Sequence, residues 1–321
     1  MLGALLAAIA LLVGGAVVLL GDEEPLPPKP DIPLDAWVPY WGLESSLPAL
    51  ALRGPSMREI SPFWFNALGV EEIEIDSNAS IERTTAFIDE VRGIDVALVP
   101  SIVDAMPAGG MAAILADPDT RALHVTTIAA FAEEGDYDGI DIDYEQFAFA
   151  DGRLTWAETR PNWVAFIEEL GAALRADGRT LTVSIPPVYD DGQTDDSGFW
   201  VYDYGAIVEH VDRIRIMAYD FSVGEAGPIA PLSFVERAIT GAIEATGSPD
   251  KLVLGLPAYG RNWPMSTAGD CPADGVPGRT TVSARSVDEL IERRGATPVF
   301  SERTGEWLFE YQLEVTDGVD T

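Results

Sequence analysis

The sequence predicts an α/β fold closed as a (β/α)8 barrel, and two observations carry that expectation. Short apolar runs recur seven times with helical patterns between most of them, the rhythm of parallel strands joined by crossover helices. No Gly-x-Gly-x-x-Gly follows the first run, which leaves a doubly wound open sheet as the weaker alternative. The length, 321 residues, accommodates one such barrel at roughly 250 residues.

Taken in order, the strands are predicted at Ala36–Trp41, Glu59–Phe65, Val96–Val103, Gly139–Tyr144, Thr180–Ile185, Arg213–Tyr219 and Leu252–Pro257. Three intervening stretches carry apolar residues at helical spacing. Thr120–Glu134 does so with Leu123, Ile128, Ala129 and Phe131, and Asn162–Ala176 with Val164, Ile167, Leu170 and Leu174. Phe234–Thr246 repeats the pattern with Val235, Ala238, Ile239 and Ile243. Residues 264–310 break the rhythm with a Gly- and Pro-rich loop, a helix near Ser286–Arg294, and runs at Pro298–Phe300 and Trp307–Tyr311. They predict a small α+β insertion after the seventh strand. Past Tyr311 only Gln312–Thr321 remain. An eighth strand with its helix, on the order of 25–40 residues in such barrels, is therefore expected to be missing from this chain.

Acidic side chains number 53 and basic ones 20, a net charge of -33. That balance excludes a nucleic-acid binder, which needs a basic surface, and electrostatic docking on anionic lipid. A 47% apolar and 9% aromatic content excludes disorder. Leu2–Leu20 is an uncharged apolar run, long enough as a helix to span roughly 28 Å. Asp22, Glu23 and Glu24 follow, then the proline-rich Pro25–Pro33. Residues 1–21 accordingly read as a signal peptide or signal anchor that meets a membrane, and 22–34 as a linker. Residues 35–321 read as one exported domain, expected to be monomeric and to act outside the cell or at its surface. The single cysteine, Cys271, excludes an internal disulfide and a cysteine-rich metal site.

The most informative segment is Asp138-Gly139-Ile140-Asp141-Ile142-Asp143-Tyr144-Glu145. Strand side chains alternate between faces, so Asp141, Asp143 and Glu145 share one face and Ile140, Ile142 and Tyr144 the other. The isoleucines and tyrosine suit the helix-covered face, which sends three carboxylates into the barrel. Like charges this close cannot all ionise freely, so one carboxyl should keep its proton, as a general acid must. Two other readings stand beside this one: a cation site at Asp136, Asp138 and Asp141, and a solvated acidic edge strand.

Asp-Gly-x-Asp-x-Asp-x-Glu resembles the signature of glycoside hydrolase family 18, the chitinases and their relatives. Met217-Ala218-Tyr219-Asp220 resembles the family's Met-x-Tyr-Asp motif, and Leu254–Gly260 its seventh strand. The resemblance covers about residues 35–311. The run Gly227–Pro231 and the insertion resemble the branch of bacterial spore-cortex and peptidoglycan glucosaminidases. The resemblance implies a TIM barrel and an enzyme that cleaves β-linked N-acetylglucosamine polymers by substrate-assisted, retaining catalysis, without cofactor or metal. Glu145 would be the acid, then the base. Asp143 would orient the acetamido N–H, and Asp141 would share a proton with Asp143. Tyr219 would hydrogen-bond the acetamido oxygen. Asp220 and Met217 would line the sugar site. Family members without the acid bind sugar as lectins, which is the alternative function. The chain departs from the family at Ser101-Ile102-Val103-Asp104, where Ser-x-Gly-Gly is usual, and this implies a differently shaped cleft.

Aromatics often floor sugar clefts. Trp37, Tyr40, Trp41, Trp64, Trp200 and Trp263 lie at or just beyond predicted strands. Trp41 and Trp263 are the stronger candidates, with Tyr40 and Trp64 beside them. His124 and His210 are expected to be structural or exposed.

Overall fold

The computed structural model describes residues 32–269, 278–316 and 319–320. The Leu2–Leu20 run and Cys271 lie outside the described residues. Seven parallel strands pair in chain order: β1 (Asp35–Pro39), β2 (Glu59–Ala67), β3 (Ser101–Asp104), β4 (Gly139–Asp143), β5 (Thr180–Ile185), β6 (Arg213–Ile216) and β7 (Leu252–Leu254). Helices α1 (Leu43–Arg53), α2 (Ile81–Arg92), α3 (Pro118–Glu134), α4 (Trp156–Ala176) and α5 (Leu232–Thr246) lie between them in sequence. Strands that neighbour in chain order, each reached by a helical crossover, are the barrel arrangement the sequence predicts. Among the described residues, no strand pairs with the outer side of β1 or of β7.

Three strands differ from expectation for local reasons. The predicted Val96–Val103 is two pieces, Ala97–Leu98 and β3, both paired with β2. Pro100 sits at the break, where it has no N–H to give the ladder. β6 stops at Ile216 rather than Tyr219, because the Ala218 N–H turns back onto the Ile216 carbonyl at 2.9 Å. β2 shifts register between Phe63 and Phe65, and Ile73–Ile75 folds back antiparallel onto it, a pairing the sequence did not announce.

The outward face of β4 packs as alternation requires. Ile140, Ile142 and Tyr144 are fully buried, and the Tyr144 ring stacks on Phe166 of α4 at 5.8 Å. His124 of α3 is structural: its Nε2 meets the Tyr144 hydroxyl at 2.7 Å and its Nδ1 the Val70 carbonyl at 2.8 Å. The motif glycine has a steric reason. A Cβ at Gly139 would lie 2.1 Å from the Thr180 hydroxyl oxygen, so β4 and β5 approach this closely only with glycine there.

After β7 comes the small α+β lobe. Tyr259–Asn262 pairs antiparallel with Thr280–Ser283, helix α6 (Val287–Arg294) follows, and Val299–Ser301 forms a hairpin with Glu306–Leu308. The hairpin docks on the Gly227–Pro231 run. Glu306 accepts the N–H groups of Ile229 and Ala230 at 2.9 and 2.7 Å, and the Leu232 N–H reaches the Thr304 carbonyl at 3.0 Å. Val315–Thr316 and Val319–Asp320 pair with each other, apart from the main sheet. No helix among the described residues is long and apolar enough to cross a membrane.

Candidate active site

Strand alternation brings Asp141 to the centre of the barrel, where it is fully buried. Four strands supply its hydrogen-bond donors. Ser101 of β3 donates at 2.6 Å, Ser184 of β5 at 2.7 Å, Arg215 of β6 at 2.9 Å and the Trp37 indole of β1 at 3.1 Å. The Arg215 guanidinium also bonds Glu59 and Ser61 of β2 and lies 5.2 Å from the Trp37 ring centre. Glu59 is paired in turn with Arg213 at 2.9 Å. A buried cation thus joins two buried carboxylates beneath the site. This corrects the expectation that Asp141 shares a proton with Asp143: the hydrogen bonds of Asp141 run to Arg215, Ser101, Ser184 and Trp37, and none joins it to Asp143. The cation-site reading also loses its geometry. Asp138 accepts the Leu98 N–H at 2.7 Å where β4 begins, while Asp141 faces the interior.

Asp143 is buried, and its Oδ1 has no hydrogen-bond partner among the described residues. Burial, then the nearby charges of Glu145, Asp141 and Asp104, push its carboxyl well above the usual range. Glu145 stands two residues past the end of β4, half-buried, just before a short helix at Gln146–Phe149. Burial, then Asp104 and Asp220, push its carboxyl up to about 7. Asp104, at the end of β3, is fully buried and accepts the main-chain N–H groups of Glu145 and Gln146. Burial pushes it up to about 7 as well, against the pull of those two bonds. The three carboxyls interact and titrate as a group.

Tyr219 lies past the end of β6 with its ring 6.4 Å from that of Tyr259. Burial pushes its phenol upward, with Asp143 and Glu145 among the charges acting on it, so it is a neutral donor beside the carboxylates. Because β6 ends at Ile216, Met217 and Tyr219 occupy a turn rather than one strand face. Gly255 makes room there: a Cβ would sit 3.0 Å from the Tyr219 ring. Asp220 holds a left-handed backbone, φ 57°, which only a few non-glycine residues accept. Its Oδ1 takes the Tyr259 hydroxyl at 2.6 Å and the Arg261 guanidinium.

The aromatic candidates divide. Trp41 is 67% exposed, its ring edge-on to Tyr40 at 4.9 Å and to Phe63 at 6.2 Å, and it remains a cleft candidate together with Tyr40. Trp64 is a correction. It is 2% exposed and packs on Phe87 of α2, because the even positions of β2 face the helices while Glu59 and Ser61 face inward. Trp200 is likewise core, against Trp156 at 5.4 Å. Trp263 is half-buried under the Arg279 guanidinium in the lobe, with no contact to the carboxylates.

Sequence reasoning missed five residues: Arg215, Ser101, Ser184, Asp104 and the indole donor of Trp37. One signal was available. Arg215 alternates with Ile214 and Ile216 in an apolar strand, so a charge placed there needs a buried partner.

The raised carboxyls predict a pH-dependent stability. Unfolded Asp and Glu lose their protons near pH 4, whereas Asp104 and Glu145 keep theirs to about 7. Across that window the folded protein holds more protons than the unfolded chain, so these groups lower stability as pH rises through it. Urea midpoints of a Glu145→Gln variant should fall less between pH 4 and 7 than those of the parent. An equally steep fall would contradict the shift.

Comparison with known proteins agrees with this arrangement. The profile of Glycosyl hydrolases family 18 matches residues 95–315. "Putative sporulation-specific glycosylase YdhD" of Bacillus subtilis is 33% identical over 154 residues, 47% of this chain and 33% of the relative. Mouse Chitotriosidase-1 is 27% identical over 180 residues, 49% of this chain and 37% of the relative. The chain thus matches about a third of the length of these curated relatives. Among solved structures, a chitinase from Chromobacterium violaceum superposes with TM-score 0.69 at 22% identity, covering 90% of this chain and 84% of that one, which shows the fold. The family match spans the carboxylate strand, the Met217–Asp220 turn and the seventh strand, the same segments that meet around Asp141 and Asp143; this chain belongs to glycosyl hydrolases family 18.

Proposed function

We propose that the protein is an exported glycoside hydrolase that cleaves β-linked N-acetylglucosamine polymers, chitin-like or peptidoglycan, by substrate-assisted retaining catalysis. One observation carries the reading: a buried carboxyl oxygen without a hydrogen-bond partner among the described residues, Asp143 Oδ1, stands two residues from a carboxyl that holds its proton to about pH 7. A buried acceptor left unpaired is costly, and the acetamido N–H of a bound sugar would satisfy it. Glu145 donates its proton to the glycosidic oxygen as the C1–O bond breaks. The acetamido oxygen attacks C1, giving an oxazolinium ion. Asp143 holds the N–H at Oδ1, and the Tyr219 hydroxyl donates to the acetamido oxygen. Water then attacks C1 as the C1–O bond to the acetamido oxygen breaks, and gives its proton to Glu145, so two inversions retain the anomer. Asp141 pairs with Arg215 at 2.9 Å below. Asp220 and Met217 line the sugar site, and Trp41 and Tyr40 offer apolar ring faces at its edge.

Export rests on the Leu2–Leu20 run. The proposed organisation is a signal or anchor at 1–21, a linker at 22–34 and a catalytic unit at 35–321 with its lobe at 264–310.

The full-length protein is assayed on chitooligosaccharides, their N-deacetylated counterparts and purified peptidoglycan, with product anomers followed by NMR. We expect the β-anomer to appear first and the deacetylated oligomers to stay intact. Cleavage of deacetylated chains at a comparable rate would rule out acetamido participation. Binding without turnover on every substrate would favour a lectin.

A further inference from the structure

Asp104 stands where the family's third strand usually carries a glycine, and nothing in the mechanism above uses it. Its carboxylate is fully buried and straddles one peptide unit: Oδ1 accepts the Glu145 N–H at 2.8 Å and Oδ2 the Gln146 N–H at 2.9 Å. We propose that Asp104 is a positioning residue for the acid, which fixes the main chain that carries Glu145 and supplies the negative charge its carboxyl faces. The proposal rests on the reading of Glu145 as the acid.

The positioning half follows from where the bonds fall. The Glu145 side chain leaves a Cα that no longer belongs to the β4 ladder, so the sheet does not set its direction. Two charge-assisted bonds from β3 do, and each is about twice as strong as a neutral one. A glycine at position 104 could make neither. The charge half follows from the surroundings. Glu145 is influenced by Asp104 from β3, Asp220 from beyond β6 and Asp143 from β4, with the neutral phenols of Tyr202 and Tyr219 nearby. Asp104 is influenced by Asp151, which follows the short helix, and lies near Tyr144, Tyr202 and Asp143. The Arg215 guanidinium draws the Asp143 carboxyl downward, against the push of burial. Asp104 has main-chain donors to hold its charge, whereas no hydrogen-bond donor to the Glu145 carboxyl is seen among the described residues. When the pair holds one proton it therefore sits on Glu145, ready for transfer.

Two variants of the full chain separate the halves. Asp104→Asn keeps an acceptor oxygen and removes the charge, while Asp104→Ala removes both. The readouts are kcat and KM against pH on a chitooligosaccharide, and 13C NMR titration of the Glu145 carboxyl, assigned by its loss in Glu145→Gln, which needs no turnover. In Asp104→Asn we expect the Glu145 titration and the alkaline limb of the rate profile to move down by about one pH unit. In Asp104→Ala we expect kcat at the optimum to fall ~10–100-fold with KM little changed, a loss that Asn largely rescues. An unmoved titration in Asn overturns the charge half, and wild-type kcat in Ala the positioning half. If Ala does not fold, an Asn variant with wild-type kcat and an unmoved titration overturns the proposal. Full activity in Glu145→Gln would instead remove the acid assignment itself. An inactive Glu145→Gln beside wild-type-like Asp104 variants would sink only the role of Asp104.

Discussion

Replacement of Glu145 by Gln is expected to lower turnover on chitooligosaccharides by roughly 10²–10⁴-fold, the usual range for loss of a general acid. KM should change little, since the amide is nearly isosteric and the proposed sugar contacts come from Asp143, Tyr219 and Asp220. The reason lies in the proton. Glu145 is half-buried and holds its proton to about pH 7, while an amide has none to give the leaving oxygen. Activity of the parent should fall as pH rises through about 7, where the acid ionises. The measurement is initial rate against substrate and pH for both proteins, with binding of the variant followed by calorimetry. A variant that keeps a tenth or more of parental kcat would remove Glu145 from the acid role.

The second large effect concerns stability. Replacement of Arg215 by Met should cost about 3–5 kcal/mol, because it leaves the buried Asp141 without its cation and Glu59 with Arg213 alone. For a domain of this size the melting midpoint would drop on the order of 10 °C. The cost does not measure the worth of the ion pair, since desolvation offsets much of the mutual attraction. It measures what losing the shared cation does in an interior where Asp141 is fully buried and Glu59 1% exposed. Arg215→Lys should fall in between, because an ammonium lacks the fork that reaches Ser61, Glu59 and Asp141 together. Urea unfolding of both variants near pH 7 is the check. A Met variant within about 1 kcal/mol of the parent would show that water or protonation relieves the two carboxylates.

Much of the fold was legible because its signals are local. Strand alternation depends on neighbours two apart, so the Asp141–Asp143 face and the opposite Ile140–Ile142–Tyr144 face could both be read from eight residues. The insertion was legible because it broke a rhythm. Strand ends were less so: Pro100 and the Ala218 turn cut the ladders where apolar composition continued. Trp64 was misplaced because its face depends on the pairing of β2, which composition does not set.

The sequence by itself determined that three carboxylates crowd one strand end of an α/β barrel, because that follows from the period of a strand and the residues on it. Which carboxylate keeps its proton was decided only in three dimensions. The donors to Asp141 come from positions 37, 101, 184 and 215, between 40 and 104 residues away. Arg215 pairs with Asp141, no donor among the described residues reaches Asp143 Oδ1, and Asp104 faces Glu145 from the neighbouring strand. Charge energies depend on distance and burial rather than on order along the chain, so they appear only when the curled sheet brings those strands together.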